Sequence, residues 1–220
     1  CCWLYDGDLL AVGDAAGGVF GFEGKSGNLR WKHPEVHSGG LLAIAAHPRG
    51  TRLATTGQDG LVRIWDAKDG QEQKTIQVGN GWVEHAAWSA NGKYLAVSMS
   101  RRVYVYTEDG HEVWQSDNHP STVSALVWSR TGELATACYG RVSFFDATTG
   151  NTLETLEWKG SLVSMVLSPD GDIVACGSQD NSVHFWRRST GQDSQMHGYP
   201  CKPAALAFDH AGTFLATGGG

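Results

Sequence analysis

The sequence predicts an all-β fold assembled from repeats of four short strands, and three observations lead to it. Short runs rich in aliphatic and β-branched residues alternate with turn residues along the whole chain, most regularly in Leu41–Asp66. A turn glycine returns every 39 to 43 residues, and a second glycine series follows the same period. No window sustains the i, i+3, i+4, i+7 apolar pattern of a useful helix. A period of about 40–45 residues with four strands in each unit is typical of a β-propeller.

The two glycine series divide the chain into units. The first consists of Gly7, Gly50, Gly92, Gly132, Gly171 and Gly212, and the second of Gly27, Gly70, Gly110, Gly150 and Gly191. They predict a single propeller domain over residues 1–220, with blades near 1–36, 37–78, 79–117, 118–158, 159–198 and 199–220. Five blades are near-complete and the sixth has only its inner half. Because a seven-bladed ring needs about 290 residues at this period, we expect the chain to be part of such a ring, incomplete at both ends.

Composition narrows the class of protein. With 41% hydrophobic residues in 220, the chain can bury a full core without a metal or a disulfide. The formal net charge of −6 argues against nucleic-acid binding, and no apolar run reaches the 18 residues of a membrane-spanning helix. The five cysteines match neither a disulfide framework nor a zinc site. Reduced thiols indicate an intracellular, cytoplasmic protein.

Several motifs resemble WD40 repeats, and the resemblance covers the whole chain. They are SPDG at 168–171, QDNSVHFW at 179–186 and GQDGLVRIWDAKDG at 57–70. The resemblance implies four-stranded blades arranged radially, with the first strand of each lining a central channel. LEWKGS at 156–161 and GYP at 198–200 further resemble a little-characterised group of WD40 proteins from bacteria and photosynthetic eukaryotes. That finer resemblance makes a plastid the alternative compartment.

The WD40 resemblance also implies a hydrogen-bonded tetrad of His, Ser or Thr, Asp and Trp that satisfies buried polar groups. By position the second blade has all four members, the fourth has the His and the Thr, and the fifth has the Asp and the Trp. These residues are His37, Thr55, Asp59 and Trp65; His119 and Thr136; and Asp180 and Trp186. We interpret them as structural rather than catalytic, because function must be argued from converging sites.

Metal binding and catalysis have little support in the sequence. His33 and His37 have HxxxH spacing, but Pro34 and the strand that follows exclude the helix that would bring them together. No GxSxG, HExxH or P-loop lysine motif is present. We therefore expect no catalytic residue, metal or cofactor. The alternating pattern around His184 predicts that this side chain lies at the surface or in an interface.

For partner binding, the sequence contains a specific set of candidate residues. In WD40 propellers, the connections between strands two and three and between strands four and one lie on the same face. On it the third blade has Ser100-Arg101-Arg102 and the fourth Tyr139-Gly140-Arg141, where the regular second blade has Gln58-Asp59-Gly60. The predicted partner-binding residues are Trp82, Arg101, Arg102, Tyr139 and Arg141. Arg, Tyr and Trp are enriched at interface hot spots, and this set suits an acidic or phosphorylated segment. The alternative is that the arginines are solvated turn residues.

The sequence thus predicts a non-enzymatic protein–protein interaction scaffold that positions partners on a loop face. Its expected partners are other proteins within a larger complex, with no nucleic acid and no membrane insertion. A structural peripheral subunit of a stable assembly is the alternative. A propeller enzyme or ligand-binding protein using the central channel is less supported, because the polar residues of the inner strands are scattered. These are Glu84, His85, Ser124 and Ser164.

Overall fold

The structure, a computed structural model, describes residues 1–219 apart from the side chain of Asp6. It is all-β with antiparallel sheets, as the sequence predicts. The chain forms two compact units, the first spanning Cys1–Ser116 and the second beginning at Asp117. The single-domain organisation and the blade boundaries stay a prediction. Within residues 1–219, no helix is both long enough and apolar enough to cross a membrane.

The first unit contains three antiparallel sheets, each with four strands in sequence order. Sheet 1 consists of β1 (Cys2–Leu4), β2 (Leu9–Gly13), β3 (Val19–Glu23) and β4 (Leu29–His33). Sheet 2 consists of β5 (Leu41–Ala46), β6 (Arg52–Gly57), β7 (Leu61–Asp66) and β8 (Glu72–Gln77). Sheet 3 consists of β9 (Val83–Trp88), β10 (Tyr94–Met99), β11 (Arg102–Thr107) and β12 (Glu112–Gln115).

The turn glycines of both series adopt positive φ, between 67° and 96°, so the predicted turns are confirmed. Gly50 shows why another residue does not fit. Its φ is 68°, and a Cβ atom there would lie 2.5 Å from the backbone nitrogen of Tyr5. Both the backbone conformation and the close approach therefore require glycine.

The core of the first unit lies between successive sheets. Leu9 and Val19 of sheet 1 pack in one cluster with Leu53 and Trp65 of sheet 2. The next residue on β6, Ala54, packs in a second cluster with residues of sheet 3. Because successive side chains of a strand point to opposite faces, β6 contributes to both clusters. Sheet 2 consequently packs against a neighbouring sheet on each of its faces.

The second unit has a six-stranded antiparallel sheet followed by a two-stranded one. The first consists of β13 (Ala125–Trp128), β14 (Glu133–Asp146), β15 (Thr152–Leu167), β16 (Ile173–Ser178), β17 (Val183–Arg187) and β18 (Gln192–Met196). The second consists of β19 (Ala205–Phe208) and β20 (Leu215–Gly218). Strands β14 and β15, at 14 and 16 residues, are much longer than the others.

These two long strands correct the sequence-based prediction of a loop at Tyr139–Arg141. Tyr139 pairs with Ser161 and Arg141 with Glu157, so the two expected connections form a ladder with each other. The register shifts between Tyr139 and Arg141, where Gly140 has a φ of 87°. We call residues 139–141 and 157–161 the ledge. Its pairing joins the strands of the fourth and fifth predicted blades into one sheet.

Candidate functional site

A buried hydrogen-bond network links four side chains of the first unit. His37 Nδ1 lies 3.0 Å from Asp59 Oδ1, and His37 Nε2 lies 2.8 Å from Thr55 Oγ1. Trp65 Nε1 donates to the same hydroxyl oxygen at 2.9 Å. One arrangement satisfies every atom: the Thr55 hydroxyl accepts from Trp65 and donates to Nε2, while Nδ1–H donates to Asp59.

The network holds a turn in place rather than presenting a reactive group. Burial lowers the pKa of His37, although the hydrogen bond to Asp59 opposes this shift, so the imidazole is neutral at pH 7. The Asp59 carboxylate also accepts from the backbone N–H groups of Ser38 and Leu61. It thereby ties the turn after β6 to the segment that precedes β5. Because the His37 ring is buried, it has no surface at which to meet a substrate.

Replacing Asp59 with alanine is expected to lower the free energy of unfolding by about 1–3 kcal/mol, because the buried N–H of His37 loses its acceptor. Denaturant titration of the purified chain measures the change. Asp69→Ala is the matched control, since Asp69 caps an exposed turn through the N–H of Gln71. We expect that control to stay within about 0.5 kcal/mol of wild type. Equal stability of the two variants would exclude Asp59 from a buried network.

The predicted tetrad residues of the second unit have different surroundings. His119 Nε2 lies 2.9 Å from Thr136 Oγ1, and Phe145 contributes a ring contact but no N–H donor. The Asp180 carboxylate is exposed and accepts from Ser182 Oγ, which lowers its pKa. Trp186 is buried among aromatic rings instead. The structure therefore places Asp180 and Trp186 in different environments rather than in one network.

The predicted surface position of His184 is wrong, because its side chain is 1% exposed. Both faces of β17 are covered, so the alternating pattern does not mark a solvent-exposed face. The ring of Trp158 packs against it with the centroids 3.8 Å apart. Sequence reasoning missed Trp158, although a signal was available. It precedes Cys176 by 18 residues, as His37 precedes Thr55, and so occupies the position of the tetrad histidine.

Three of the predicted partner-binding residues lie at one end of sheet 3. Val83 pairs with Met99, so Trp82 lies beside the Ser100–Arg102 turn. Trp82 is 55% exposed, and both Arg101 and Arg102 are exposed. Ser100 has a positive φ of 54°, and Arg102 donates to Gln115 Oε1 at 3.4 Å. The result is an exposed indole and two exposed arginine side chains at the same end of sheet 3.

The other two predicted residues lie on the ledge of the second unit. Tyr139 is 57% exposed, and its backbone N–H donates to Ser121 Oγ at 2.9 Å. Arg141 is half-buried and stands opposite Glu157 in the ladder. They belong to a paired strand segment rather than to a free loop. A surface shared with Trp82, Arg101 and Arg102 stays a prediction.

The arrangement of potential metal ligands can be examined over the described residues. Among residues 1–219, no three His, Cys, Asp or Glu side chains are grouped closely enough to bind one. The His33 ring stacks on Trp65 at 5.1 Å between centroids. His37 is engaged by Thr55 and Asp59. The two histidines of the HxxxH spacing thus have separate structural contacts.

Repeated four-stranded antiparallel sheets with such a network are typical of WD40 propellers. The family model "WD domain, G-beta repeat" matches residues 31–66 and 150–187. A second model, "Anaphase-promoting complex subunit 4 WD40 domain", matches residues 96–167. The chain belongs to the WD40-repeat family. The finer resemblance to proteins of bacteria and photosynthetic eukaryotes stays a prediction.

Curated relatives resemble the chain at low identity. WD repeat-containing protein slp1 of Schizosaccharomyces pombe is 22% identical over 197 residues, covering 84% of this chain and 40% of slp1. The human serine-threonine kinase receptor-associated protein is 24% identical over 147 residues, covering 66% and 42%. Protein HIR1 of Cryptococcus neoformans is 26% identical over 179 residues, covering 66% and 20%. The chain thus spans less than half the length of each of these relatives.

A solved structure supports the fold. A chain in the "Crystal Structure of Mitotic Checkpoint Complex" aligns with a TM-score of 0.87 at 20% identity, covering 99% of this chain and 70% of that one. At this identity the likeness shows the fold alone.

Proposed function

We propose that the chain acts as a non-enzymatic protein-interaction scaffold that holds partner proteins at the turn ends of its sheets. The observation that carries the proposal is the exposed group of Trp82, Arg101 and Arg102 at one end of sheet 3. The sheet beneath it is rigid, because Val97 and Tyr104 are packed in the core shared with sheet 2. A rigid sheet that presents large side chains loses little conformational freedom when a partner binds.

The chemistry of this group favours an acidic or phosphorylated segment of the partner. A guanidinium can donate two parallel hydrogen bonds to a carboxylate or a phosphate, and an indole covers apolar surface beside them. Tyr139 and Arg141 on the ledge supply a second contact that again combines an aromatic ring with a guanidinium group. The match to the model "Anaphase-promoting complex subunit 4 WD40 domain", which is named for a complex subunit, supports a role as a subunit of a larger assembly.

Charge reversal at Arg101 and Arg102 is expected to weaken binding of an acidic or phosphoserine-containing peptide at least tenfold, about 1.4 kcal/mol. Two attractive charges become repulsive, whereas Trp82 still contributes its apolar contact. Fluorescence anisotropy with labelled peptides measures the affinity, and binding should also weaken as salt is added.

The matched control is Arg30→Glu combined with Arg49→Glu, which changes the net charge equally at two exposed sites elsewhere in the first unit. Control and wild type should bind alike and all three proteins should melt at similar temperatures. If both double variants bind as wild type does, the sheet 3 surface is not the binding site.

A further inference from the structure

Three rings of the second unit, those of the buried His184 and Trp186 and the half-buried Trp158, form a cluster where sheet 2 has its hydrogen-bonded network. Trp158 and His184 have ring centroids 3.8 Å apart, and His184 meets Trp186 edge-on at 4.1 Å. His184 stands opposite Cys176 in the ladder, just as Arg63 stands opposite Thr55. We call Trp158, His184 and Trp186 the aromatic cluster.

The aromatic cluster buries polar atoms that have no hydrogen-bond partner. They are Trp158 Nε1 and both ring nitrogens of His184. The nearest carboxylate oxygen, Asp193 Oδ2, lies 3.4 Å from His184 Nε2 but is not aligned for a hydrogen bond. In the second repeat, by contrast, Arg63 donates to the carbonyl of Val36. Ring contacts therefore replace polar bonds in the aromatic cluster.

The charges around the histidine are unequal in exposure. The titratable groups that face or flank the aromatic cluster are Asp193 on β18, Asp180 in the preceding turn, Cys176 on β16, and Glu157 and Lys159 on β15. The Asp193 side chain is 60% exposed, so water screens its charge. Burial raises the pKa of the Cys176 thiol, which stays neutral. Nothing in this set compensates fully for a buried positive charge on His184.

We propose that the aromatic cluster is a proton-sensitive contact, in which protonation of His184 opens the packing of Trp158 and loosens the ledge. Trp158 lies between Glu157 and Ser161, whose ladder partners are Arg141 and Tyr139. Displacing its ring therefore disturbs the strand segment that positions both residues. The consequence for partner binding rests on the proposed function of the ledge, whereas the opening itself does not.

The direction of the pH dependence follows from burial. Burial lowers the pKa of His184, and the charges of Asp193 and Asp180 only partly oppose the shift. The opened or unfolded state, whose histidine has an ordinary pKa near 6.5, binds the proton more readily. The closed contact is thus at full strength above about pH 6.5 and weakens as the pH falls below that value.

Tryptophan emission of the whole chain between pH 7.5 and 5.0 tests the contact. We expect an emission step below about pH 6.5. The step should persist in His33→Gln. This variant is the matched control because His33 also stacks on a tryptophan and also has a buried Nε2. His184→Phe keeps an aromatic ring without a titratable group, so the step should vanish there. Trp158→Phe should reduce it. A step of wild-type size in a folded His184→Phe variant would overturn the proposal.

Binding of an acidic, unphosphorylated peptide at pH 7.5 and 5.5 tests the coupling to the ledge. We expect affinity to fall at least threefold more in wild type than in His184→Phe on acidification. Equal pH dependence in the two proteins would overturn the coupling. If no acidic peptide binds at either pH, the proposed function fails, while the emission step still decides whether the contact is proton-sensitive.

Discussion

Replacing Thr55 with valine is expected to lower the free energy of unfolding by about 3 kcal/mol, although the two side chains have nearly the same shape. The hydroxyl of Thr55 is the one atom that meets both His37 Nε2 and Trp65 Nε1. Its loss leaves two buried polar atoms unpaired, and each costs about 1–3 kcal/mol. Denaturant unfolding followed by circular dichroism measures the difference.

The neighbouring residue supplies the control. Thr56 is also fully buried, but its hydroxyl has no hydrogen-bond partner. Thr56→Val therefore removes an unsatisfied polar group, so stability should be unchanged or slightly higher. A large loss in both variants would show that the core fails to accept valine, whereas no loss at Thr55 would contradict the role of its hydroxyl.

Replacing Arg188 with methionine is expected to destabilise the second unit by about 2–3 kcal/mol. The guanidinium donates to both Glu133 oxygens and to Glu154 Oε2, and it lies 3.9 Å from the centroid of the Phe144 ring. The hydrogen bonds to Glu133 raise the pKa of Arg188 further, so it is always charged. Removing it leaves two partly buried carboxylates uncompensated, and breaking such a pair costs up to about 3–5 kcal/mol when burial is complete.

Arg187 is the matched control for this prediction. Its side chain is 49% exposed and pairs with Asp172 at 3.0 Å, an arrangement that contributes little in water. We expect Arg187→Met to change the free energy of unfolding by less than about 0.5 kcal/mol. Thermal unfolding of both variants at the same salt concentration decides the matter, and equal losses would show that the bonds of Arg188 are no stronger than a surface pair.

The features that sequence could predict depend on local chemistry. Gly50 needs a positive φ, and the HPRG sequence between two apolar runs indicates a turn with that conformation. The network of the second blade could also be predicted, because its four members are spaced as in a WD40 repeat. The structure has the hydrogen bonds that link them, among His37, Thr55, Asp59 and Trp65.

The features that sequence could not predict depend on pairing between distant residues. Nothing local indicates that Tyr139 pairs with Ser161, because a Tyr-Gly-Arg run is equally compatible with an open turn. The burial of His184 is likewise decided by Trp158, which lies on another strand. The alternating pattern of β17 distinguishes two faces but does not show that both are covered.

The ledge has a mechanical consequence. In the first unit, each four-stranded sheet ends before the next begins, so a connecting loop can flex or accept an insertion without breaking a ladder. Strand β15 contains no such connecting loop, because one continuous strand pairs first with β14 and then with β16. Strain applied at either end passes along its backbone hydrogen bonds, so β13–β18 should open as one cooperative body. A peptide tag inserted within the ledge would therefore interrupt the ladder between β14 and β15 rather than lengthen a loop.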